Sequence, residues 1–349
     1  MSSSYKLKSY FSKEWFSYNF LVLISYYFTA IFGMNYIHYE GATPIWAPAG
    51  IVFATVFIFG YKIWPAIFLG AYALNYPILS SLGSTFLEIN LSALLCAGGN
   101  TLVVLIGYYT VSKLTDKSHP FKNIHNIIIF LFFGMIVPAL LNSLTGGLTY
   151  SNITNNWNNF FPFWLNWFLG DLGGIIILTP LILNFKKEEL LLTKVPKLIE
   201  FILLTIFLYF IINLFFVVDF ILPLSIVLPV ILIFIFRFGK FETALSVFIL
   251  SIFSIWILNN PNNIFYKIYP YAPLIPLTFS LISISVTSIV VSTVLSEDRH
   301  KRNELLKKNT ELNQWYQITL DREERNIELK KEVNELLKKL GTPKKYLTK

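Results

Sequence analysis

The residues of this sequence that could bind a ligand or a proton centre on one acidic side chain, Asp171. It lies in the run W-F-L-G-D-L-G-G-I-I-I-L-T-P at 167–180, inside a long apolar segment. A charge in a membrane costs several kcal/mol unless it is paired or hydrated. Two interpretations are open: Asp171 holds a ligand, an ion or a proton in a central cavity, or it hydrogen-bonds to polar groups of other spans and fixes their packing.

Small, aromatic and amide residues of the apolar segments extend this candidate site. Glycines after Asp171 would let a helix or a ligand approach the backbone closely. Trp46 and Pro48 belong to I-W-A-P-A-G, where Pro bends or unwinds a helix start and Trp either covers a cavity or anchors the membrane interface. Asn75 lies inside the next segment and needs a hydrogen-bond partner. The candidate ligand-binding or structural residues are Trp46, Pro48, Asn75, Asp171, Gly173 and Gly174.

No enzyme motif accompanies these residues. The sequence contains no G-x-x-x-x-G-K, no H-E-x-x-H and no G-x-S-x-G. Its four histidines are scattered without ligand spacing, and Cys96 is its only cysteine. We therefore predict no catalytic residue, no metal site and no cofactor, and we expect a protein that is not an enzyme.

The composition is that of a membrane protein. Of 349 residues, 55% are apolar, and the mean hydropathy is +0.59. About ten apolar segments have membrane-spanning length. They are 17–37, 45–60, 63–79, 86–111, 122–144, 160–184, 198–218, 221–236, 241–258 and 272–295. We therefore predict an all-α, polytopic bundle of helices in a lipid bilayer.

The positive charges fall on alternate connections between these segments. Before the last fifty or so residues, every Lys and Arg except Lys267 belongs to one side of this alternation. These residues are Lys6, Lys8, Lys13, Lys62, Lys113, Lys117, Lys122, Lys186, Lys187, Lys194, Lys197, Arg237 and Lys240. Because positive residues stay on the cytoplasmic side, we predict a multi-pass protein of the cell (inner) membrane with both termini in the cytoplasm. The net charge of +8 then reflects the positive residues that set the membrane topology, and no nucleic-acid partner is expected.

Two features leave the number of spans between eight and ten. Some segments are short or contain proline, so protein or a cavity must shield their backbone. Residues 45–79 form either two spans or two re-entrant halves. Residues 145–159, which are polar and uncharged, are predicted to be an irregular outer loop.

Composition changes abruptly after Leu295, where a long charged helix begins. We divide the chain into an N-terminal tail (1–16), a transmembrane bundle (17–295), a cytoplasmic coiled-coil helix (296–341) and a flexible C-terminal tail (342–349). A single amphipathic helix on the membrane surface is the alternative for the third part. Mixed charges in 321–339 favour the coiled coil and a homodimer through 297–340.

The heptad pattern of this helix has two competing frames. One frame is apolar at both ends of the helix and polar in the middle, at Thr319, Arg322 and Asn326. A second frame, with Tyr316, Leu320 and Ile327, covers that break. Such a pattern predicts a local register shift. The residues assigned to signal relay are Trp315, Thr319, Arg322 and Asn326.

Three runs together resemble the bacterial membrane-associated sensor domains of the MASE-one type. They are I-W-A-P-A-G at 45–50, G-Y-K-I-W-P-A-I-F-L-G-A at 60–71 with Asn75, and the run around Asp171; the resemblance covers about 15–295. Residues 315–341 are similar to helical connectors that lead into signalling domains. The resemblance implies sensing, but the sequence contains no kinase core, no G-G-D-E-F and no phosphodiesterase motif.

We therefore expect a membrane sensor that passes a cue through its coiled coil to a separate partner of a two-component or related signal-transduction system. A histidine kinase, a response regulator or a cyclase acting in trans would be such a partner. A secondary transporter or channel that uses Asp171 is the first alternative. A scaffold subunit, in which the bundle only anchors the coiled coil, is the second.

Overall fold

The computed structural model describes most of the chain. The described part consists of helices joined by turns and short coil segments, and no strand occurs in it. The described residues are 12–36, 43–82, 85–115, 119–185, 194–217, 227–258 and 274–347. The chain divides into two compact units, Met1–Leu295 and Ser296–Lys349. The prediction of an all-α membrane protein is confirmed.

The helices are α1 (Lys13–Tyr36), α2 (Ala47–Phe59), α3 (Trp64–Ser80), α4 (Phe86–Leu114), α5 (Ile124–Ile129), α6 (Val137–Thr154), α7 (Phe160–Leu183), α8 (Val195–Val217), α9 (Val227–Arg237), α10 (Lys240–Leu258) and α11 (Leu274–Lys339). A π-helical segment, Phe130–Ile136, joins α5 to α6. Short 3₁₀ turns, Gly60–Ile63 and Trp157–Asn159, precede α3 and α7.

Seven helical stretches in the described residues are long and apolar enough to cross a membrane. They are Lys13–Asn35, Ala47–Ser80, Phe86–Leu114, Ile124–Thr154, Trp157–Leu183, Val195–Asn213 and Ile275–Lys339; Val227–Arg237 is a shorter apolar helix. The stretch Ala47–Ser80 contains both α2 and α3. The chain is therefore a multi-pass membrane protein, and a count of eight to ten spans is consistent with these stretches.

The helices α2 and α3 run in opposite directions along α1. Tyr18, near the start of α1, stacks on Phe59 at the end of α2, with ring centroids 4.4 Å apart. A Cβ atom on Gly33, near the end of α1, would lie 3.7 Å from Thr43, just before α2. Lys62 lies in the turn between α2 and α3. Its carbonyl accepts hydrogen bonds from Trp15 Nε1 at 2.9 Å and from Asn19 Nδ2 at 3.1 Å. The turn between α2 and α3 therefore lies beside the start of α1.

Side chains link several other connections at one end of the bundle. Lys240 Nζ, at the start of α10, donates a 2.6 Å hydrogen bond to the Phe121 carbonyl between α4 and α5. His119 hydrogen-bonds the Leu183 carbonyl at 3.0 Å. Lys197 Nζ donates to the Arg237 carbonyl at 3.3 Å. These are connections that the sequence places on one side, because they carry the positive charges.

Six of the lysines used in the topology prediction lie outside the described residues. They are Lys6, Lys8, Lys117, Lys186, Lys187 and Lys267.

The predicted loop at 145–159 is wrong over most of its length. The helix α6 continues to Thr154 and ends at Asn155, whose φ of 49° is left-handed. Residues Gly146 and Gly147 form part of its packed face, against Trp167 and the aromatic residues near the start of α7. Close packing of α6 on α7 outweighs the loop preference of the glycines and asparagines.

The helix α7 lies at the centre of the bundle. Every residue from Leu169 to Pro180 is buried, and α2, α6 and α10 all pack against this helix. Other spans face the lipid over much of their surface, whereas 67% of the most apolar window of this one is buried inside the bundle. Asp171 therefore lies on the most enclosed helix of the described bundle.

The second unit consists of the C-terminal part of α11 and the tail that follows. Lys301 and Lys308 pair with Glu297 and Glu304, four residues earlier, at 2.7 and 2.8 Å, and such pairs support an exposed helix modestly. The helix ends at Lys339, and Gly341 has a left-handed φ of 71°, as expected for a helix stop.

The C-terminal tail returns to the helix at Asn334, which is 6% exposed. Its Oδ1 accepts hydrogen bonds from the backbone N–H groups of Lys345 and Tyr346 at 3.0 and 3.1 Å. Its Nδ2 donates to the Tyr346 carbonyl at 2.7 Å. The sequence predicts a flexible tail for 342–349, whereas these bonds give residues 345 and 346 a defined position; Thr348 and Lys349 lie outside the described residues.

Candidate ligand-binding site

The glycines of α7 make room for an extended segment, Thr43–Trp46. The backbone N–H of Trp46 donates a 2.8 Å hydrogen bond to the Gly170 carbonyl. A Cβ atom on Gly173 would lie 2.9 Å from the Pro44 carbonyl oxygen. On Gly174 it would meet the Trp46 carbonyl more closely still. The glycines therefore allow contact between two backbones, which no larger residue would permit.

The start of α2 continues this close packing. A Cβ atom on Gly50 would overlap the backbone of Gly174, and the Thr179 hydroxyl donates a 3.1 Å hydrogen bond to the Gly50 carbonyl. Pro48 is buried in the first turn of α2, where its missing N–H costs no helical hydrogen bond. Gly50, Gly173 and Gly174 thus fix the Thr43–Trp46 segment and the start of α2 on α7.

Asp171 belongs to a chain of polar side chains from three helices. It is 2% exposed, and its Oδ2 accepts a 2.8 Å hydrogen bond from Asn142 Nδ2 on α6. The same nitrogen donates to Asn100 Oδ1 on α4 at 3.2 Å. Asp171 Oδ1 and Asn142 Oδ1 are buried without a hydrogen-bond partner. We call Asn100, Asn142 and Asp171 the polar floor.

A cavity of about 320 Å³ lies next to the polar floor. It is formed by α1, α3, α4, α6 and α7 together with the Thr43–Trp46 segment. Its lining residues are Tyr26, Met34, Thr43, Trp46, Leu74, Asn75, Ile78, Leu79, Ser81, Leu82, Cys96, Asn100, Gly146, Thr149, Tyr150, Phe163, Asn166, Trp167 and Gly170. The volume is at the lower end of the range of small-molecule sites, which is about 300–1,000 Å³.

Aromatic residues of α6 and α7 hold one wall of this cavity in place. The rings of Tyr150 and Phe163 stack with centroids 4.0 Å apart and an interplanar angle of 7°. Phe163 meets Trp167 edge to face at 5.7 Å. The Trp167 ring occupies the space that a Cβ atom on Gly146 would need. Gly146 therefore lets the indole of Trp167 lie flat against α6.

The cavity and the polar floor share residues. Asn100 lines the cavity and accepts a hydrogen bond from Asn142. Gly170 lines it and directly precedes Asp171. Lining residues such as Asn100 and Gly170 would therefore separate a molecule in the cavity from the nearby carboxylate of Asp171.

The structure separates the six predicted site residues into three groups. Trp46 and Asn75 line the cavity. Asp171 lies behind its lining, in the polar floor. Gly173 and Gly174 pack against the segment that leads into α2, Pro48 is buried in the first turn of α2, and none of the three is a lining residue.

Other members of the site were not predicted. Asn142 is the main omission, although an amide inside an apolar run is the same kind of signal that drew attention to Asn75. Tyr26 and Trp167 carry no such signal, because aromatic residues are frequent throughout this chain.

The sequence model of the MASE1 family, a membrane-associated sensor domain, matches residues 18–299. The chain belongs to the MASE1 family. The resemblance drawn from the three sequence runs is thereby confirmed, and it covers the bundle that holds the cavity and the polar floor. No curated protein and no solved structure matches the chain significantly.

The last helix of the MASE1 domain meets α7 and α10 along a seam of hydroxyl groups. A cavity of about 20 Å³ lies there, lined by Ile176 and Pro180 of α7 and by Ser285, Ser288 and Ser292 of α11, among others. Ser285 and Ser288 donate hydrogen bonds to carbonyls four residues earlier in their own helix, both at 2.6 Å. We call this contact the serine seam. Both hydroxyls are therefore satisfied within α11, and the side chains that α11 presents to this cavity are small.

Pro180 adds an unpaired carbonyl to the serine seam. Because proline has no N–H, the carbonyl of Ile176, four residues earlier, loses its helical partner. Both residues line the 20 Å³ cavity, which has room for one water molecule.

The four predicted relay residues lie on the part of α11 that follows the MASE1 match. Trp315 is 70% exposed, and Thr319, Arg322 and Asn326 are also exposed. The Thr319 hydroxyl donates a 2.9 Å hydrogen bond to the Trp315 carbonyl. Among the described residues, no group of three or more His, Cys, Asp or Glu could hold a metal ion.

Proposed function

We propose that this protein is a non-enzymatic membrane sensor that binds its cue in the 320 Å³ cavity and passes the signal through α11 to a separate signalling protein. The carrying observation is that this cavity is built from five helices and adjoins the polar floor. Membership of the MASE1 family supports the sensing role.

Ligand binding in such a cavity would change how the helices pack. A ligand would contact α1, α3, α4, α6 and α7 at once. Because the hydrogen bond between Asn142 and Asp171 connects α6 to α7, a ligand that contacts the polar floor would also affect how these two helices pack. A ligand shifts an equilibrium only by its differential affinity for the two states, and a site shared by five helices gives scope for such a difference.

The route from the cavity to the output runs along α7. This helix carries Gly170 at the cavity and Pro180 at the serine seam. The hydroxyls of Ser285 and Ser288 bond within α11, so a small shift of α11 along α7 would keep these two hydrogen bonds. We propose this shift as the transmitted movement, in the manner of known helix displacements.

The output is the C-terminal part of α11. Its apolar residues, such as Leu312 and Trp315, are exposed in the single chain, and their two heptad frames would suit a homodimer with two registers. A histidine kinase, a response regulator or a cyclase would dock there. The positive residues at one end of the bundle favour an inner-membrane protein with cytoplasmic termini.

The test compares the full chain with a variant that lacks 297–349, each captured from its native membrane and analysed by mass spectrometry. The proposal requires a signalling protein that is lost on truncation. The output of that protein is then measured with Leu74→Trp, which fills the cavity, and with Leu69→Trp on the exposed face of the same helix as a control. Loss of the cue response in the first variant alone supports the cavity as the sensor site.

Transport remains a second candidate because Asp171 is an acid inside the bundle. Substrate uptake or current in proteoliposomes, abolished by Asp171→Asn, would replace the sensor with a transporter or channel. If an unrelated membrane span can substitute for the bundle without loss of activity, the protein is instead a scaffold.

A further inference from the structure

Asp171 has no basic partner among the residues that the structure describes. Its described hydrogen-bond donor is Asn142, which carries no positive charge. A carboxylate that is 2% exposed in a membrane protein is unfavourable unless a positive charge or a proton accompanies it. An ionised Asp171 would therefore take its cation from outside the described side chains.

The polar floor also has acceptors that nothing fills. Asp171 Oδ1 and Asn142 Oδ1 are both buried and both lack a hydrogen-bond donor. They belong to residues joined by a 2.8 Å hydrogen bond. A protonated Asp171 would satisfy both by donating its O–H to Asn142 Oδ1, whereas an ionised Asp171 leaves both acceptors to an external donor. Two neighbouring unfilled acceptors, one on an acid, fit a positively charged donor.

The adjacent cavity has the lining that organic cations favour. Among the described residues that line it there is no Lys, Arg, His, Asp or Glu, whereas Tyr26, Trp46, Tyr150, Phe163 and Trp167 are present. Aromatic faces attract cations, most strongly where water is excluded. A strongly hydrated inorganic ion would gain little from these walls, but an organic cation would use them and the acid together.

We propose that the ligand of this cavity is a small organic cation, a protonated amine whose N–H groups donate to the unfilled acceptors of the polar floor. Its charged group lies at the polar floor, and its apolar part packs against the aromatic walls. This inference rests on the proposed function, because it names the class of cue that the sensor cavity takes. The volume of about 320 Å³ limits the ligand to a compact molecule.

The test uses a charged probe and its uncharged shape analogue. Full-length protein in nanodiscs is titrated calorimetrically with benzylammonium and with its uncharged isostere ethylbenzene, and empty nanodiscs correct for partition into lipid. We expect the cation to bind at least about tenfold more tightly than the neutral analogue. Asp171→Asn should remove this preference, whereas Glu242→Gln, which changes a buried acid outside the cavity lining, should keep it.

A second pair of variants covers the case in which Asp171→Asn does not fold. Trp167→Leu removes part of the aromatic wall, and Trp256→Leu removes an exposed indole of α10. Only the first should weaken binding of the cation. Equal binding of both probes, or binding of neither, overturns the proposal. Stabilisation by Na⁺ that depends on Asp171, without binding of the organic probe, overturns it in favour of an inorganic ion.

Failure of this inference can be told apart from failure of the proposed function. If both probes bind equally and Leu74→Trp abolishes both, the cavity is a ligand site of another class and the sensor proposal stands. If Leu74→Trp leaves binding unchanged, the ligand does not use the cavity and both proposals fail.

Discussion

Asn142 Nδ2 and Asp171 Oδ2, 2.8 Å apart, join α6 to α7 inside the bundle. The same amide reaches Asn100 on α4, so one side chain of α6 ties three helices together. A hydrogen bond to a charged group contributes more to stability than one between neutral groups. This contact makes Asn142 as important to the site as the acid that the sequence draws attention to.

We expect Asn142→Ala to destabilise the protein by about 1.5–3 kcal/mol, because Asp171 loses its described hydrogen-bond donor. Denaturant unfolding in detergent measures the change. Asn166→Ala, at a cavity position outside this hydrogen-bonded chain, is the control. A double-mutant cycle with Asp171→Asn should show coupling; additive effects would mean that the two residues act independently.

A methyl group on the glycine face of α7 should be poorly tolerated. Gly174→Ala places Cβ against the Trp46 carbonyl, and overpacking of this kind costs about 1–3 kcal/mol. Gly98→Ala is the matched control, because a Cβ atom there has open space and alanine favours the helix by up to about 1 kcal/mol. Thermal unfolding of the two variants should move in opposite directions. Equal stability would disprove the close contact between α2 and α7.

A large side chain in the serine seam should block signal output while leaving ligand binding intact. Ser288 is 3% exposed and faces α7 and α10, so Ser288→Leu should block the movement of α11 while the cavity still binds its ligand. Ser283→Leu alters an exposed serine of the same helix and should change neither property. Ligand titration together with assay of the captured partner measures both. A Ser288→Leu protein that signals normally would exclude the serine seam from the relay.

Leucine at a polar core position of the proposed coiled coil should stabilise one of its two heptad registers. Thr319→Leu or Asn326→Leu completes the frame that is polar in its middle, so output should become independent of the cue. Lys331→Leu, outside both frames, is the control. Cysteine crosslinking along 312–333 reports the register, and unchanged output in both leucine variants would refute the two-register relay.

The bonds of Asn334 to the tail predict local protection. Asn334→Ala removes three hydrogen bonds to Lys345 and Tyr346, so trypsin should cleave after Lys344 and Lys345 faster than in the original protein. Asn303→Ala, at an exposed position of the same helix, should have no effect. Equal cleavage rates in all three proteins would show that the tail is not held by Asn334.

The sequence predicts those parts of this molecule that depend on local pattern. Apolar segments indicate the helices, and alternation of lysine predicts which connections share an end, because each depends on the cost of moving a residue through lipid. The close approach at Gly173 and Gly174 is also predictable, since glycine next to a buried acid has few other uses.

The cavity could not be predicted in the same way. It is formed where Tyr26, Trp46, Asn100 and Trp167 meet from four separate parts of the chain, and no periodicity within one segment encodes that meeting. The error at 145–159 has the same origin. Gly146 and Gly147 have the composition of a loop, but their use in the bundle is set by the aromatic residues of α7.

The brevity of α2 bears on how deep the cavity lies. Its 13 residues rise about 20 Å, against a hydrocarbon layer of about 30 Å. With the turn at Lys62 at one surface of that layer, we expect the Thr43–Trp46 segment to begin below the other surface. Backbone at such a depth is stable only when protein satisfies it, as Gly170 does for Trp46. A ligand of the proposed sensor would then leave water before it reaches the polar floor, so molecules that cannot replace their hydration with these contacts would be rejected at the entrance.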